Sequence, residues 1–483
     1  MSSASIGTSL QRKAFSSLPG PRRFPLVGNW FQIDPKRFHW TLENWAKQYG
    51  EQFQFSLGSR RIVVCSNSDT IAEILKDRPK GYGRTTLLST IAKELGLAGL
   101  FSNNGDIWRR QRTLVMAVFQ PANVRAYFPS MLVVANRYLK RWDGHAEKNT
   151  YFELVPDLMR FTVDVTAGLA LGTDTNTIEA DGDIIQKHLA SVFKTLQRRL
   201  LTLAPYWRIV KLPQDFKIMK DVRFIQDAVA SFIKNARAAM VLNPERAQSP
   251  TNMVEAMLAA RDENGAEFSD EDISGNIVTM LLAGEDTTAT SLAWIFHLLS
   301  EHPAVVEKLQ VEVGAVLGEA RTLLRYEQFA ELPYVGACIN EALRLFPVAP
   351  ALVLQAHEDK TIGGTTIPAK TSVILLCRAA STSKEHFGES TEFRPERWLG
   401  PAAEGDNRKA SIPFGAGARV CPGRHLAIDE MKMVVSMLIK NFTIEKLGTL
   451  TGAPVEERLE LTLIPVGLHL QLRPRKALGV APA

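Results

Sequence analysis

Cysteine is scarce in this chain: four residues in 483, at positions 65, 338, 377 and 421. None stands in the close paired spacing of a disulfide framework or a structural zinc site, so their use fits a reducing compartment. Missing too is any apolar run of the ~18–20 residues that a membrane span needs. No repeat, low-complexity tract or internal linker divides the sequence. The net charge of +6 is modest and forms no concentrated basic patch with interleaved aromatics, which argues against nucleic-acid binding. What remains, with 45% hydrophobic and 22% charged residues, has the composition of a globular protein with a large core. Residues 1–18 are Ser-rich and lack acid. They read as a flexible leader, with an organellar transit segment as the alternative, and residues 19–483 read as one domain.

Against that background one stretch is dense with meaning: Phe414-Gly415-Ala416-Gly417-Ala418-Arg419-Val420-Cys421-Pro422-Gly423. It sets a cysteine in a glycine-rich turn, two residues after an arginine. Residues 424–441 follow as a helix with apolar positions at Leu426, Met433, Val434, Met437 and Leu438. A thiol titrates near ~8.5, and the positive end of a helix or a nearby cation lowers that value. Glycines at 415, 417 and 423 allow a tight turn and a close approach to a flat group. The plain alternative is an ordinary buried cysteine in a turn.

A second anomaly lies at residues 269–300, which read as one long helix opened by Ser269 and closed before Pro303. At ~1.5 Å per residue its 32 residues would run on the order of 48 Å. In its apolar middle sits Ala283-Gly284-Glu285-Asp286-Thr287-Thr288. Glycine and adjacent threonines weaken a helix, and buried acids are costly. Such a defect marks either a functional site or a capped break between two shorter helices. Two further pairs share helix faces: Glu341 with Arg344, and Trp108 with Arg112. Alone, each reads as a surface ion pair or a generic basic helix.

Taken together, the form F-x-x-G-x-R-x-C-x-G, the run A-G-x-D-T-T, the pair E-x-x-R and the pair W-x-x-x-R, in this chain order, resemble the cytochrome P-450 family from about residue 19 to the C-terminus. The resemblance implies a mainly α fold with small antiparallel β-sheets (α+β). Haem b would lie between the long central helix and the cysteine loop. Cys421 would be the axial thiolate of the haem iron. Arg419, Trp108 and Arg112 would hold the propionates, and Phe414, Gly415 and Gly423 would shape the loop. Asp286 and Thr287 would manage protons for dioxygen, with Ala283 and Gly284 leaving room for it. Glu341 and Arg344 would lock to Arg397 as a structural unit behind the haem.

The activity implied is monooxygenation of an apolar small molecule, such as a fatty acid, terpenoid or steroid, using O2. The runs Ala349-Pro350-Ala351-Leu352 and Ile362-Gly363-Gly364 look most like bacterial fatty-acid hydroxylases of the self-sufficient kind. No flavin or ferredoxin module follows the last strand-like segment. The expectation is therefore a separate electron donor, a ferredoxin or flavodoxin with its reductase, and a bacterial-type, cytoplasmic protein. Arg109, Arg110, Arg424 and Lys432 form either the donor-docking face or a solvated basic face. Leu87, Leu88 and Phe101 in the variable loop at 84–104, with Ala349, Ala351, Leu352 and Val466, are expected to line the substrate pocket, and residues 183–235 to cover it. Strands are expected in the segments 53–64, 361–376 and 459–472. Two rival functions share these motifs: a peroxide-using or isomerising haem-thiolate enzyme, and a non-enzymatic haem sensor or carrier.

Overall fold

Asp270–Glu301 forms a single unbroken helix through the core, within one residue of the span read from sequence. Ser269 caps it: its hydroxyl oxygen accepts from the Asp272 amide at 3.1 Å. Three acidic residues in the first turn complement the helix dipole. His302 then leaves the helical region and Pro303 opens the next helix. The computed structural model describes residues 13–180, 184–202, 204–401 and 407–475.

Around this helix are six others that place the site. In chain order they are α1 (Gly105–Val118), α2 (Leu154–Leu171), α3 (Ile184–Leu201), α4 (Pro213–Leu242), α5 (the central Asp270–Glu301), α6 (Pro333–Leu345) and α7 (Arg424–Asn441). One large apolar core joins them, and α5 packs most extensively on α2. The packing is close enough to require glycine at two points of α5. A Cβ at Gly275 would lie 2.3 Å from the Ala98 carbonyl oxygen, and one at Gly284 would lie 2.6 Å from Thr166 Oγ1.

The β structure is small and peripheral. A five-stranded sheet runs in the order Gln52–Leu57, Arg60–Cys65, Ser372–Leu375, Leu352–Ala356, Tyr82–Gly83. Two subsidiary apolar clusters pack on it. All three expected strand segments form strands. They are not purely antiparallel, because Arg60–Cys65 pairs parallel with Ser372–Leu375. Residues 1–12 of the expected leader lie outside the described residues. Residues 13–18 are docked: Lys13 and Ala14 pair with Thr365 and Thr366, and Leu18 is buried in a subsidiary cluster. The folded body therefore reaches further toward the N-terminus than composition suggested, because Leu18 supplies an apolar anchor.

Glu341, Arg344 and Arg397 meet in full burial. The Glu341 carboxylate accepts from Arg344 Nε at 2.9 Å and Nη2 at 2.8 Å. It also accepts from Arg397 Nε at 2.9 Å, Trp398 Nε1 at 2.8 Å and the Arg394 amide at 3.1 Å. Arg344 in turn donates to the carbonyls of Ser381, Ser390 and Glu392. Replacing Glu341 by alanine leaves two guanidinium groups buried without their carboxylate. Glu341→Ala is expected to lose about 3–5 kcal/mol of stability, read as a lowered urea midpoint with the denaturation slope unchanged.

Candidate active site

The loop at residues 414–423 is held shut by its own backbone. The Cys421 amide donates to the Phe414 carbonyl at 2.9 Å. Gly415 and Gly417 take φ of +71° and +69°, which favours glycine at both. Gly423 has φ of −81° as the N-cap of α7, so the turn does not demand glycine there. Arg112 reaches across from α1 and donates from Nη1 to the Val420 carbonyl at 2.8 Å, clamping the loop one residue before the cysteine.

Among the four cysteines, Cys421 alone has open surface; the other three are buried. Burial pushes the Cys65 and Cys377 thiols up to about 12 and Cys338 well above the usual thiol range. Cys377 sits in the cluster beside the five-stranded sheet. The Cys421 thiol is also raised, chiefly by burial, against the Gly423 amide, Arg112 and Arg424, which favour the thiolate. The helix end and its cations therefore do not by themselves depress this thiol, contrary to the sequence-based expectation. A coordinated metal ion would do so outright.

Beside the loop, four arginines converge. Arg419 feels Arg84, Arg78 and Arg112, and burial with their repulsion holds it down to about 9. Burial brings Arg84 to about 9 and Arg78 to about 10. Among the described residues no carboxylate pairs with any of the four, and Arg78 Nε and Arg419 Nε are buried without a hydrogen-bond partner. Asn104 organises the group. Its Oδ1 accepts from the Arg84 amide at 2.8 Å and from Arg419 Nη2 at 3.0 Å. The Arg419 guanidinium lies over the Trp108 ring at 4.3 Å. Cys421 keeps open surface and Arg84 is half-buried.

On α5, Leu281, Leu282 and Glu285 are buried while Ala283 is exposed. This turn therefore borders open space on one side. Thr287 Oγ1 donates to the Ala283 carbonyl at 2.7 Å, and its lone pairs stay accessible. Gly284 does not provide room for a small ligand as expected, because the direction its side chain would take is filled by Thr166 of α2. Asp286 accepts from Thr462 Oγ1 at 2.5 Å, and burial raises its carboxyl above the ordinary range.

The sequence matches the cytochrome P-450 family profile over residues 18–472. The chain belongs to the cytochrome P-450 family. Cytochromes P-450 hold haem through a cysteine thiolate and act as oxidoreductases that use O2 and an electron donor. This cytochrome P-450 is 27% identical to the chloroplastic protein LUTEIN DEFICIENT 5 of Arabidopsis thaliana, over 86% of this chain and 72% of that one. It is 27% identical to a bifunctional cytochrome P-450/NADPH–P-450 reductase of Bacillus subtilis, over 97% of this chain and 44% of that one. A self-sufficient cytochrome P-450 monooxygenase of Exserohilum turcicum is 29% identical over 88% of this chain and 39% of its own length. The chain thus spans about two fifths of its self-sufficient relatives.

The donor set fits haem. Cys421 offers an open thiol in the glycine loop, and four arginines without carboxylate partners among the described residues suit two propionates. Arg84, Arg78 and Asn104 were not picked out from sequence; Arg84 lies within the variable loop, where only apolar lining residues were sought. Phe101 stacks under the Arg84 guanidinium at 4.4 Å and its carbonyl accepts from Arg84 Nε at 2.9 Å. Among the other expected pocket residues, Leu88 is buried in the main core and Leu87 packs against it. Ala351 and Leu352 are half-buried and lean on the subsidiary clusters, Ala349 is exposed, and Val466 is half-buried. The expected basic face breaks up. Lys432 Nζ donates to the Phe329 carbonyl at 2.6 Å, Arg110 pairs with Asp262 and Asp272, and Arg109 pairs with Asp106. Arg424 remains exposed beside Phe414. Substituting Arg84 by glutamine is expected to weaken haem retention on the order of tenfold, the worth of one charged hydrogen bond, measured by transfer of haem to apomyoglobin.

Proposed function

We propose that this cytochrome P-450 inserts one oxygen atom from O2 into an apolar small molecule, of fatty-acid, terpenoid or steroid type, with electrons from a separate ferredoxin or flavodoxin and its reductase. The observation that supports this reading is the open thiol of Cys421 in the glycine loop beside an arginine group without carboxylate partners among the described residues, with an exposed Ala283 and an accessible Thr287 hydroxyl on α5. The chain from about residue 13 onward forms one domain in this reading. A cytoplasmic location belongs to it, with a plastid as the alternative that the relatives named chloroplastic suggest. The B. subtilis relative named as a P-450/reductase fusion supports a second arrangement, in which the reductase is joined to the same polypeptide.

Haem, when bound, supplies the activation of O2. Cys421 Sγ would hold its iron, and Arg419, Arg84 and Arg112 would hold its propionates. Phe414 would shield the sulfur from water, which tunes the metal's electronics. Ala283 leaves space beside α5. Thr287 Oγ1, anchored by its bond to the Ala283 carbonyl, accepts a hydrogen bond from that space. Asp286 holds and releases a proton at Oδ, and burial raises its carboxyl above the ordinary range. Half-buried apolar side chains at Leu87, Ala351, Leu352 and Val466 orient the substrate without fixing it by charge.

Donor-driven product formation, measured with NADH and a ferredoxin–reductase pair across fatty acids, terpenes and steroids, tests the reading. Turnover with peroxide but never with the donor pair would favour a peroxide-using enzyme, and haem binding without turnover would favour a sensor. Cys421→Ala should abolish the absorption band that thiolate-ligated haem shows when reduced under carbon monoxide; an unchanged band removes Cys421 as the ligand. Thr287→Ala should retain haem and lower product formed per reductant consumed by up to about a hundredfold, with peroxide released instead.

A further inference from the structure

The turn between strands Glu456–Leu459 and Leu463–Val466 reaches into the site from outside the cysteine loop and outside α5. It comprises Glu460, Leu461 and Thr462. Thr462 is buried, and its hydroxyl donates to Asp286 Oδ2 at 2.5 Å. Such turns are ordinarily mobile, but this one is pinned on three sides. Trp294 Nε1 of α5 donates to the Leu463 carbonyl at 2.7 Å, and its ring stacks on Phe346 with centroids 4.2 Å apart. The Leu463 amide donates to the Val348 carbonyl at 2.9 Å. Gln197 Nε2 of α3 donates to the carbonyls of Leu459 at 3.2 Å and Glu460 at 2.8 Å.

We propose that Thr462 is a positioning residue for the Asp286 carboxylate, and that the turn carrying it ties that carboxylate to helix α3. The proposal rests on the reading of Asp286 as a proton carrier. The carboxylate lies on the helix that borders the reacting space, yet its hydrogen-bond donor comes from a separate hairpin. That hairpin is bonded to α3, one of the two helices expected to cover the pocket. A displacement of α3 on substrate entry is therefore passed to the donor of Asp286 through two backbone carbonyls and one short turn. Thr462 has no proton to spare for transfer while it donates to Oδ2, so its part is to fix the rotamer and favour the ionised form.

The electrostatics give the sign. Burial raises the Asp286 titration, the Thr462 hydrogen bond lowers it, and Glu460 on the same turn raises it. α2 presents the uncharged Thr162 and Thr166 to this stretch of α5. Glu460 itself is exposed and pairs with Arg458. Deleting the Thr462 hydroxyl removes a group that favours the carboxylate. Asp286 then holds its proton to higher pH.

The experiment uses the haem-loaded protein and two readouts. The first is an infrared pH titration of the protonated carboxyl band, assigned to Asp286 by its disappearance in Asp286→Asn. The second is product formed per reductant consumed. Thr462→Val should move the titration up by about one pH unit, the equivalent of one hydrogen bond to a charged group, and lower coupling at neutral pH. Thr462→Ser, which keeps the hydroxyl and the fold, should restore both. Gln197→Ala should move both in the same direction by less. Native titration and coupling in Thr462→Val would overturn the positioning role, as would failure of serine to restore them. Native behaviour in Gln197→Ala would overturn the tie to α3. Native coupling in Asp286→Asn would instead overturn the proton-carrier reading itself, a result distinct from the others.

Discussion

The rest of the molecule depends on one buried carboxylate. Glu341 receives five hydrogen bonds from four residues spread over two regions of the chain: Arg344 on α6, and Arg394, Arg397 and Trp398 on the segment that leads to the cysteine loop. Among its described residues that segment has little regular structure, so its backbone carbonyls need other partners. Arg344 provides them at Ser381, Ser390 and Glu392. The ion pair therefore does for this stretch what a neighbouring strand would do elsewhere. Its energy is not a simple gain, because the desolvation of three charges offsets much of the Coulombic attraction. What it gives is a single permitted path for the chain on its way to Cys421.

Burial acts on the site in two opposite senses with one physical cause. It raises the Cys421 thiol and lowers the Arg419, Arg84 and Arg78 guanidiniums, because in each case the charged form loses water. A cationic metal repairs the first and anionic carboxylates repair the second. Haem offers both on one rigid plane, so the protein's electrostatic debts on the two sides are complementary to one cofactor. The Arg112 bond to the Val420 carbonyl links the halves: the same residue that borders the thiol also belongs to the arginine group.

Elements written in local periodicity were legible. The central helix was placed within a residue because Ser269 and Pro303 mark its ends and apolar residues fill its middle. The cysteine loop was legible because its glycines, arginine and cysteine stand at fixed offsets. Convergence of distant residues was not. Arg78 and Arg84 meet Arg419 only through the fold, and Thr462 reaches Asp286 across 176 positions. Gly284 was misread because a helical glycine can open space or permit contact, and only the position of Thr166 decides between them. Lys432 and Arg110 read as part of either a docking face or a solvated face, and neither reading foresaw their partners, because charge in a sequence does not reveal an acceptor lying opposite.

Residues 84–104 are held to α5 at a narrow place. The Ala98 carbonyl lies against Gly275, and the Leu100 amide donates to Asn276 Oδ1 at 2.9 Å. Substitution at Gly275 is blocked by backbone, so this seam tolerates almost no drift. The helix Thr86–Glu94 upstream of it is tied at its start, where Thr86 donates to Gln355 Oε1, and is exposed at Thr90 and Lys93. Heritable change in this loop is thereby channelled: its far half can diversify while its near half keeps register with the core. A lineage could vary this helix without renegotiating the foundation on which the loop stands.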